Sequence, residues 1–236
     1  MTKVIVDQAF WELFPEAELE ILVVEGIDNH PQEDQLPEYQ ALLDQGKEAA
    51  KEFLTEEVFS QNSVVQDWRQ AFQQFKTKKG VRSSIEALLK RVDQDREFTP
   101  ILPLVDLYNA ISLTYGVPCG GEDIDQIQGD MRLGMAQGGE SFYPLGAEED
   151  VPALPGEICY LDQAGAICRC FNWREAQRTM LQAQTERAVL VIEAINPEQV
   201  QRARQAIVAL QQSVAEHLGV TGKIQQITAD QPQVEL

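Results

Sequence analysis

Glu193 is the residue of this sequence whose surroundings point most clearly to chemistry. It lies in the run AVLVIEA (188–194), which is otherwise apolar and predicts a central β-strand. An unpaired carboxylate buried in such a strand would cost several kcal/mol, so Glu193 must reach a partner, an edge or a polar pocket. A carboxylate held in this way either completes a structural network or binds a ligand, and the strand alone leaves both open.

A second concentration of polar side chains surrounds Trp173. The segment FNWREAQRT (171–179) follows no helical or strand period. These side chains could pair with one another or reach toward a ligand, and both interpretations stay open. The polar residues of the segment are Asn172, Arg174, Glu175, Arg178 and Thr179.

Asn109 belongs to a predicted helix that begins at Pro103 and ends at Gly116. Proline is favoured in the first helical turn, and glycine can take the left-handed conformation that ends a helix. Asp106 and Asn109 lie together beside the apolar face of this helix. We expect a glycine turn at residues 120–123, whose last residue, Asp123, caps a short helical turn.

The remaining polar candidates favour neither a metal nor a cofactor. Cys168 and Cys170 lack the C-x2-C spacing of zinc sites, and His30 and His217 lie in no ligand or nucleophile motif. The pairs Gly120-Gly121 and Gly138-Gly139 match no dinucleotide or phosphate loop. We therefore expect no metal, no cofactor and reduced, buried cysteines.

The charge of the chain limits its partners. Its 38 acidic and 19 basic residues give a net charge of −19, so the protein should not coat nucleic acid nonspecifically. The densest basic segment contains Lys76, Lys78, Lys79 and Arg82, which either form a solvated helix end or contact phosphate. No apolar run is long enough for a membrane span, and the first residues lack the apolar core of a signal peptide, so we expect a cytoplasmic protein.

The order of predicted elements favours an α+β fold. Two strands and several helices come first, two β-hairpins follow, and a long helix capped by Asn196 lies near the end. The tail after residue 228 is predicted to be frayed. The predicted strands are 3–6, 19–24, 131–136, 141–145, 157–161, 166–171, 188–194 and 223–227, and the predicted helices are 37–57, 63–75, 84–92, 103–115 and 197–218.

Several segments together resemble freestanding proteins of the B3/B4 family, which is named after a domain in the β subunit of bacterial phenylalanyl-tRNA synthetase. The resemblance spans roughly residues 80–215 and leaves the first 60 residues uncovered. The segments that carry it are SIEALLKRV (84–92), PLVDLYNAISLTYGVPCGGEDID (103–125), GDMRLGMAQGGESFYPLG (129–146), PGEICYLDQAGAICRCFNWREAQRT (155–179) and VLVIEA (189–194).

The resemblance implies an α+β fold of layered β-sheets packed with helices. It implies a B3/B4-like domain over residues 76–228. Outside the resemblance, the sequence pattern predicts a mainly helical segment with strands over residues 1–75, which we expect to pack on the core as one compact unit. In the synthetase, this domain hydrolyses tyrosine wrongly esterified to the tRNA acceptor end. We therefore expect a protein that binds the aminoacyl end of tRNA and hydrolyses misacylated tRNA in trans, although it is not a full synthetase.

Two alternatives remain beside this deacylase. One is a non-catalytic protein that binds tRNA, a free amino acid or a similar small ligand. The other is a protein-interaction scaffold that uses the acidic surface.

The resemblance also assigns residues. The segment VDLYNAISLTYGVP is similar to a synthetase stretch close to VDVTNYVMLELGQP, so Asn109 keeps an asparagine, Tyr108 replaces a threonine and Gly120 replaces a histidine. Glu193 corresponds to the editing-site glutamate, and FNWREAQRT replaces a glycine-rich loop. Glu193 and Asn109 would bind the amino group or orient water.

The other implied residues fall into two groups. Arg174 and Arg178 would meet acceptor-end phosphates, and Lys76, Lys78, Lys79 and Arg82 would extend that contact along the tRNA backbone. The implied substrate-binding residues are Tyr108, Gly120, Gly121, Asn172, Trp173, Arg174, Glu175, Arg178 and Thr179.

Overall fold

A computed structural model describes residues 2–236, which form two β-sheets and six α-helices. The α+β prediction is confirmed. The helices are α1 (Gln8–Leu13), α2 (Leu36–Ala49), α3 (Ser63–Ala71), α4 (Ser84–Asp93), α5 (Pro103–Tyr115) and α6 (Pro197–Leu218). The strands are β1 (Lys3–Val6), β2 (Glu18–Glu25), β3 (Cys119–Asp123), β4 (Met131–Met135), β5 (Ile158–Asp162), β6 (Gly165–Arg169), β7 (Arg174–Glu175), β8 (Arg187–Ala194), β9 (Lys223–Ile227) and β10 (Gln233–Glu235).

The strands divide into a small sheet and a large sheet. The small sheet has the order β3-β8-β2-β9 and is antiparallel throughout, whereas the large sheet has the order β10-β1-β4-β5-β6-β7. Even-numbered residues of β8, such as Leu190 and Ile192, pack with α5 and α6 on one face of the small sheet. Its odd-numbered residues Val189 and Val191 join the core that the small sheet shares with the large one. Glu193 therefore points toward the large sheet.

The predicted helix boundaries rest on caps that the structure contains. The hydroxyl of Ser83 accepts a hydrogen bond from the backbone N–H of Glu86, and the side chain of Asn196 accepts one from Gln199. Gly116 ends α5 in the left-handed conformation, with φ of 61°. These local signals fix three helix ends, namely the starts of α4 and α6 and the end of α5.

Three predictions were wrong. Residues 120–123 form most of strand β3 instead of a turn, because Gly120 and Gly121 pair with β8. Residues 141–145 are not a strand, because β4 pairs with β1 and β5 instead. The tail does not fray, since it forms β10 and buries Val234 against β1. In each case, a long-range pairing overrides the local pattern.

The first 75 residues contribute to both sheets. Strand β1 pairs with β4, and β2 lies between β8 and β9. Aromatic residues from this segment pack on the ring of Phe171. The ring centroids of Phe10, Phe14 and Trp68 lie 5.1, 5.8 and 5.4 Å from the centroid of the Phe171 ring. The domain boundary at residues 75/76 remains a prediction. Over residues 2–236, no helix has both the length and the apolar character that a membrane crossing requires.

Candidate functional site

A cavity of about 320 Å³ lies between the two sheets and is flanked by α4 and α5. Its volume is within the range of roughly 300–1,000 Å³ that small-molecule sites occupy. The lining residues are Ser84, Ala87, Leu88, Arg91, Tyr108, Asn109, Cys119, Gly120, Gly121, Glu122, Met131, Tyr160, Cys168, Asn172, Trp173, Arg174, Glu175, Val191 and Glu193.

Glu193 is held inside this cavity by two hydrogen bonds. Its side chain is 3% exposed, the hydroxyl of Tyr160 donates to Oε1 over 3.0 Å, and the amide of Asn172 donates to Oε2 over 3.4 Å. Burial raises the pKa of Glu193 to about 8, although both hydrogen bonds favour the charged form. At neutral pH the cavity therefore contains a largely protonated carboxyl that can ionise when a cation approaches.

Two further carboxyls line the same cavity. Burial raises the pKa of Glu175 to about 7, and a hydrogen bond from the Gly121 N–H opposes that rise. Burial, followed by the nearby charge of Glu175, holds the pKa of Glu122 well above its usual range. Glu122 is 6% exposed, and its Oε2 has no hydrogen-bond partner in the protein. The inner wall thus contains three carboxyls whose pKa values burial raises.

The two glycines of β3 make room for these groups. A Cβ at Gly120 would lie 3.2 Å from Oε1 of Glu175, so the missing side chain leaves space for that carboxyl. A Cβ at Gly121 would lie 2.5 Å from Cδ2 of Leu190, which is closer than real Cβ contacts. Glycine at these two positions therefore allows the side chains of Glu175 and Leu190 to approach the backbone of β3 closely.

An unusual backbone turn aims Asn172 and Glu175 at the cavity. Cys170 and Phe171 have positive φ angles of 49° and 67°, in the region that non-glycine residues rarely adopt. The Phe171 ring is fully buried, and the Asn172 carbonyl accepts a hydrogen bond from the Ser84 N–H at the start of α4. Aromatic packing and this backbone contact therefore hold a strained turn beside the site.

A basic groove adjoins the cavity. The two share Ala87, Arg91, Trp173 and Arg174, and the groove encloses about 500 Å³. The guanidinium of Arg174 lies 4.9 Å from the Trp173 ring, and no acidic side chain is among the groove's lining residues within the described chain. We call this surface the basic groove, and its cations are Arg82, Lys90, Arg91, Arg96 and Arg174.

The structure brings most of the predicted site residues together. The cavity contains Glu193 and Asn109, and Arg82 lies in the basic groove. The other predicted residues that line the cavity are Tyr108, Gly120, Gly121, Asn172, Trp173, Arg174 and Glu175.

Five predicted residues line neither the cavity nor the basic groove. Arg178 donates to both carboxylate oxygens of Asp162 over 2.8 Å, and Thr179 is fully buried. Arg178 is thus tied into an ion pair with Asp162, from where its charge partly offsets the burial that raises the pKa of Glu122. The basic-segment residues Lys76, Lys78 and Lys79 also lie outside both linings.

Sequence reasoning missed Glu122 and most of the basic groove. Glu122 lies in the segment that was predicted to be a turn. Had that segment been recognised as a strand, the alternation of side chains between its two faces would have indicated where Glu122 points. Lys90 and Arg91 were predicted only as part of the helix over residues 84–92, and Arg96 follows its end. Their position near the helix C-terminus was the available signal. Within residues 2–236, no group of three or more His, Cys, Asp or Glu side chains is arranged to hold a metal ion.

The model of the B3/4 domain matches residues 67–217, which is more than half of the chain. The chain belongs to the B3/4 domain family. All lining residues of the cavity and of the basic groove lie within the matched part of this B3/4 protein. The predicted family is therefore confirmed, and both features belong to the B3/4 region.

A solved structure shares the fold of this B3/4 protein. It is an N-terminal fragment of the phenylalanyl-tRNA synthetase β-subunit from Pyrococcus horikoshii, with a TM-score of 0.50 and 15% sequence identity. The match covers 94% of this chain and 49% of the fragment, so the B3/4 protein spans about half the length of that fragment. No curated protein matches the sequence. The B3/4 protein is thus related in fold to a domain of a tRNA synthetase subunit.

Proposed function

We propose that this B3/4 protein binds the aminoacyl end of a tRNA and hydrolyses the ester that joins the amino acid to the ribose. The observation that carries the proposal is the direct connection between a cavity containing the buried carboxyl of Glu193 and a groove of five cations. The cavity would take the aminoacyl group, while the basic groove would take the nearby phosphates. The cationic aminoacyl group would thus lie beside carboxyls, and the anionic phosphates would lie beside basic side chains.

Glu193 would bind the α-ammonium group. Its two oxygens are oriented by Tyr160 and Asn172, and each oxygen keeps a lone pair for a ligand donor. An ammonium group beside the carboxyl favours the ionised form, which lowers its pKa from about 8. Ammonium binding would therefore create a charge pair with the ionised carboxylate of Glu193.

The basic groove suits a short stretch of phosphates in an otherwise acidic protein. The net charge of −19 repels nucleic acid, so favourable contact is confined to a local cationic surface. Arg174 lies over Trp173, and this pair offers a surface on which an unpaired base can stack. The flexible single-stranded end of a tRNA fits these features better than a long duplex does.

Hydrolysis needs little more than positioning, because an aminoacyl ester is already activated. A water oxygen would bond to the ester carbonyl carbon, the bond to the ribose oxygen would break, and that oxygen would take up a proton. Asn109 lines the cavity, and its side-chain amide makes no hydrogen bond within the described residues, so this amide can orient the water or the carbonyl. Fixing these groups together supplies much of the rate increase through proximity.

Incubation of the full chain with a panel of misacylated tRNAs tests this function. We expect ester loss above the buffer blank for at least one pairing, and a loss of about 100-fold or more in rate for Glu193→Gln. Glu216→Gln, an exposed change on α6, is the matched control and should retain the full rate.

Two outcomes would contradict the proposal. Equal rates for Glu193→Gln and the wild type would remove Glu193 from the site. The absence of ester loss for every pairing would reject the deacylase. Retained tRNA or amino-acid binding in that case would support the non-catalytic binding protein.

A further inference from the structure

The cavity contains more carboxyls than one α-ammonium group can match. Glu122, Glu175 and Glu193 come from three separate strands, β3, β7 and β8. Within the chain the structure describes, no Lys, Arg or His lies within ion-pair distance of any of the three. Arg91 and Arg174 line the cavity, but they also line the basic groove. The charge of Arg178, which pairs with Asp162, partly offsets the burial that raises the pKa of Glu122, but none of the three carboxyls has an ion-pair partner of its own within residues 2–236.

Two buried acceptor atoms also lack donors. Oε2 of Glu122 and Oδ1 of Asn172 have no hydrogen-bond partner, and their side chains are only 6% and 7% exposed. Both residues line the cavity. Leaving such an atom unsatisfied costs about 1–3 kcal/mol, so native proteins supply a partner to nearly all of them. A ligand with several N–H donors would satisfy both.

We propose that the amino acid bound in this cavity has a cationic side chain, with its α-ammonium on Glu193 and its second cation between Glu122 and Glu175. The inference rests on the proposed function and names its substrate class as aminoacyl groups of basic amino acids. The two cations then face the three carboxyls, and the N–H donors of the side chain reach the unpaired acceptors.

An apolar side chain of similar length would leave the carboxyls and the unpaired acceptor atoms of the cavity without partners. An alkyl chain has no donor for Oε2 of Glu122, and it brings no positive charge to offset the burial that raises the pKa of Glu122 and Glu175. A site built for hydrogen-bond donors rejects an isostere that lacks them, because its own polar groups remain unpaired. The space that Gly120 leaves beside Glu175 keeps this carboxyl within the cavity wall.

Calorimetric binding of L-lysinamide and L-norleucinamide to the full chain at pH 7 tests the inference. These amides are close in length, and the lysine amide adds one ammonium group. We expect L-lysinamide to bind at least about tenfold more tightly, which corresponds to one satisfied buried polar group. Glu122→Gln with Glu175→Gln should shrink this preference to about threefold or less, whereas Glu216→Gln should retain it.

The outcomes separate this inference from the proposed function. Equal binding of the two amides, or tighter binding of L-norleucinamide, would overturn the basic side chain and leave the aminoacyl site intact. Binding of neither amide at millimolar concentration would overturn both. A preference that survives the double substitution would also overturn the assignment to Glu122 and Glu175. If the double variant does not fold, as judged by circular dichroism, the wild-type comparison of the two amides decides alone.

Discussion

The hydroxyl of Tyr160 donates a hydrogen bond to Oε1 of Glu193 over 3.0 Å, and this bond joins the two sheets across the cavity. Tyr160 lies on β5 of the large sheet, and Glu193 lies on β8 of the small one. Both side chains are buried, at 4% and 3% exposure. The ionisation of one carboxyl is therefore coupled to the contact between the two layers of the fold.

Glu193→Gln should reduce the loss of stability at high pH. The pKa of Glu193 is about 8 in the folded protein and 4.5 in the unfolded chain, so the folded state holds the proton more tightly. Stability from this group is fully present below pH 4.5 and is lost as the pH rises to about 8.

Urea unfolding of wild type and Glu193→Gln at pH 5 and pH 9 measures this effect. We expect the free energy of unfolding of the wild type to fall by several kcal/mol more than that of the variant. Parallel falls in the two proteins would contradict the buried, proton-binding carboxyl.

Tyr160→Phe should move the pH dependence of ester hydrolysis to higher pH. The hydroxyl favours the ionised form of Glu193, so its removal raises the pKa of that carboxyl further. The pH profile of kcat/KM reports the free protein, so its rise should occur at a higher pH in the variant than in the wild type. The measurement is the rate of ester loss, corrected for the blank at each pH. An unchanged profile in a folded variant would show that Tyr160 does not position Glu193.

Arg82→Gln with Arg96→Gln should weaken tRNA binding without changing amide binding in the cavity. Both guanidinium groups lie in the basic groove and not in the cavity lining. Each lost phosphate contact should reduce the slope of log affinity against log salt by about 0.7. Arg204→Gln, which removes a cation paired with Glu18, is the control and should leave the slope unchanged. An equal effect of the control would indicate general charge repulsion instead of a groove.

Gly120→Ala and Gly121→Ala should have different effects. The Cβ at position 120 meets the end of the Glu175 side chain at 3.2 Å, so a small shift of that carboxyl accommodates it. The Cβ at position 121 meets the fully buried Leu190 at 2.5 Å, which forces the core apart.

Thermal unfolding and amide binding distinguish the two substitutions. We expect Gly121→Ala to lose about 1–3 kcal/mol of stability and Gly120→Ala less than about 1 kcal/mol. Gly120→Ala should instead weaken L-lysinamide binding, because it displaces Glu175. A strongly destabilised Gly120→Ala, or one with wild-type binding, would contradict the space assigned to Glu175.

Local signals were sufficient for the parts of the site that lie on regular elements. Pro103 and Gly116 define α5 and hence Asn109, and the apolar run of β8 identifies Glu193 as a residue in need of partners. Those partners were beyond the sequence alone, because Tyr160 reaches Glu193 from another sheet. Long-range pairing is what the local pattern does not encode.

The turn and the groove show the same limit. Phe171 adopts a positive φ that its residue type disfavours, and packing against distant rings, together with the backbone contact to Ser84, holds this conformation. The basic groove combines Arg82 before α4, Arg91 within it and Arg174 from β7, so no single stretch reveals the cluster. The acidic overall composition also concealed it.

The parallel pairing of β1 with β4 has a consequence for the time course of folding. The N–H of Lys3 bonds to the carboxylate of Asp130, and 127 residues separate the two. Contacts between such distant positions form slowly, because the loop must close before the pairing gives any stabilisation. We therefore expect β1 to dock among the last elements in refolding, after the hairpin of β5 and β6 has formed. The layer that presents Tyr160 would acquire its full width only at that late step.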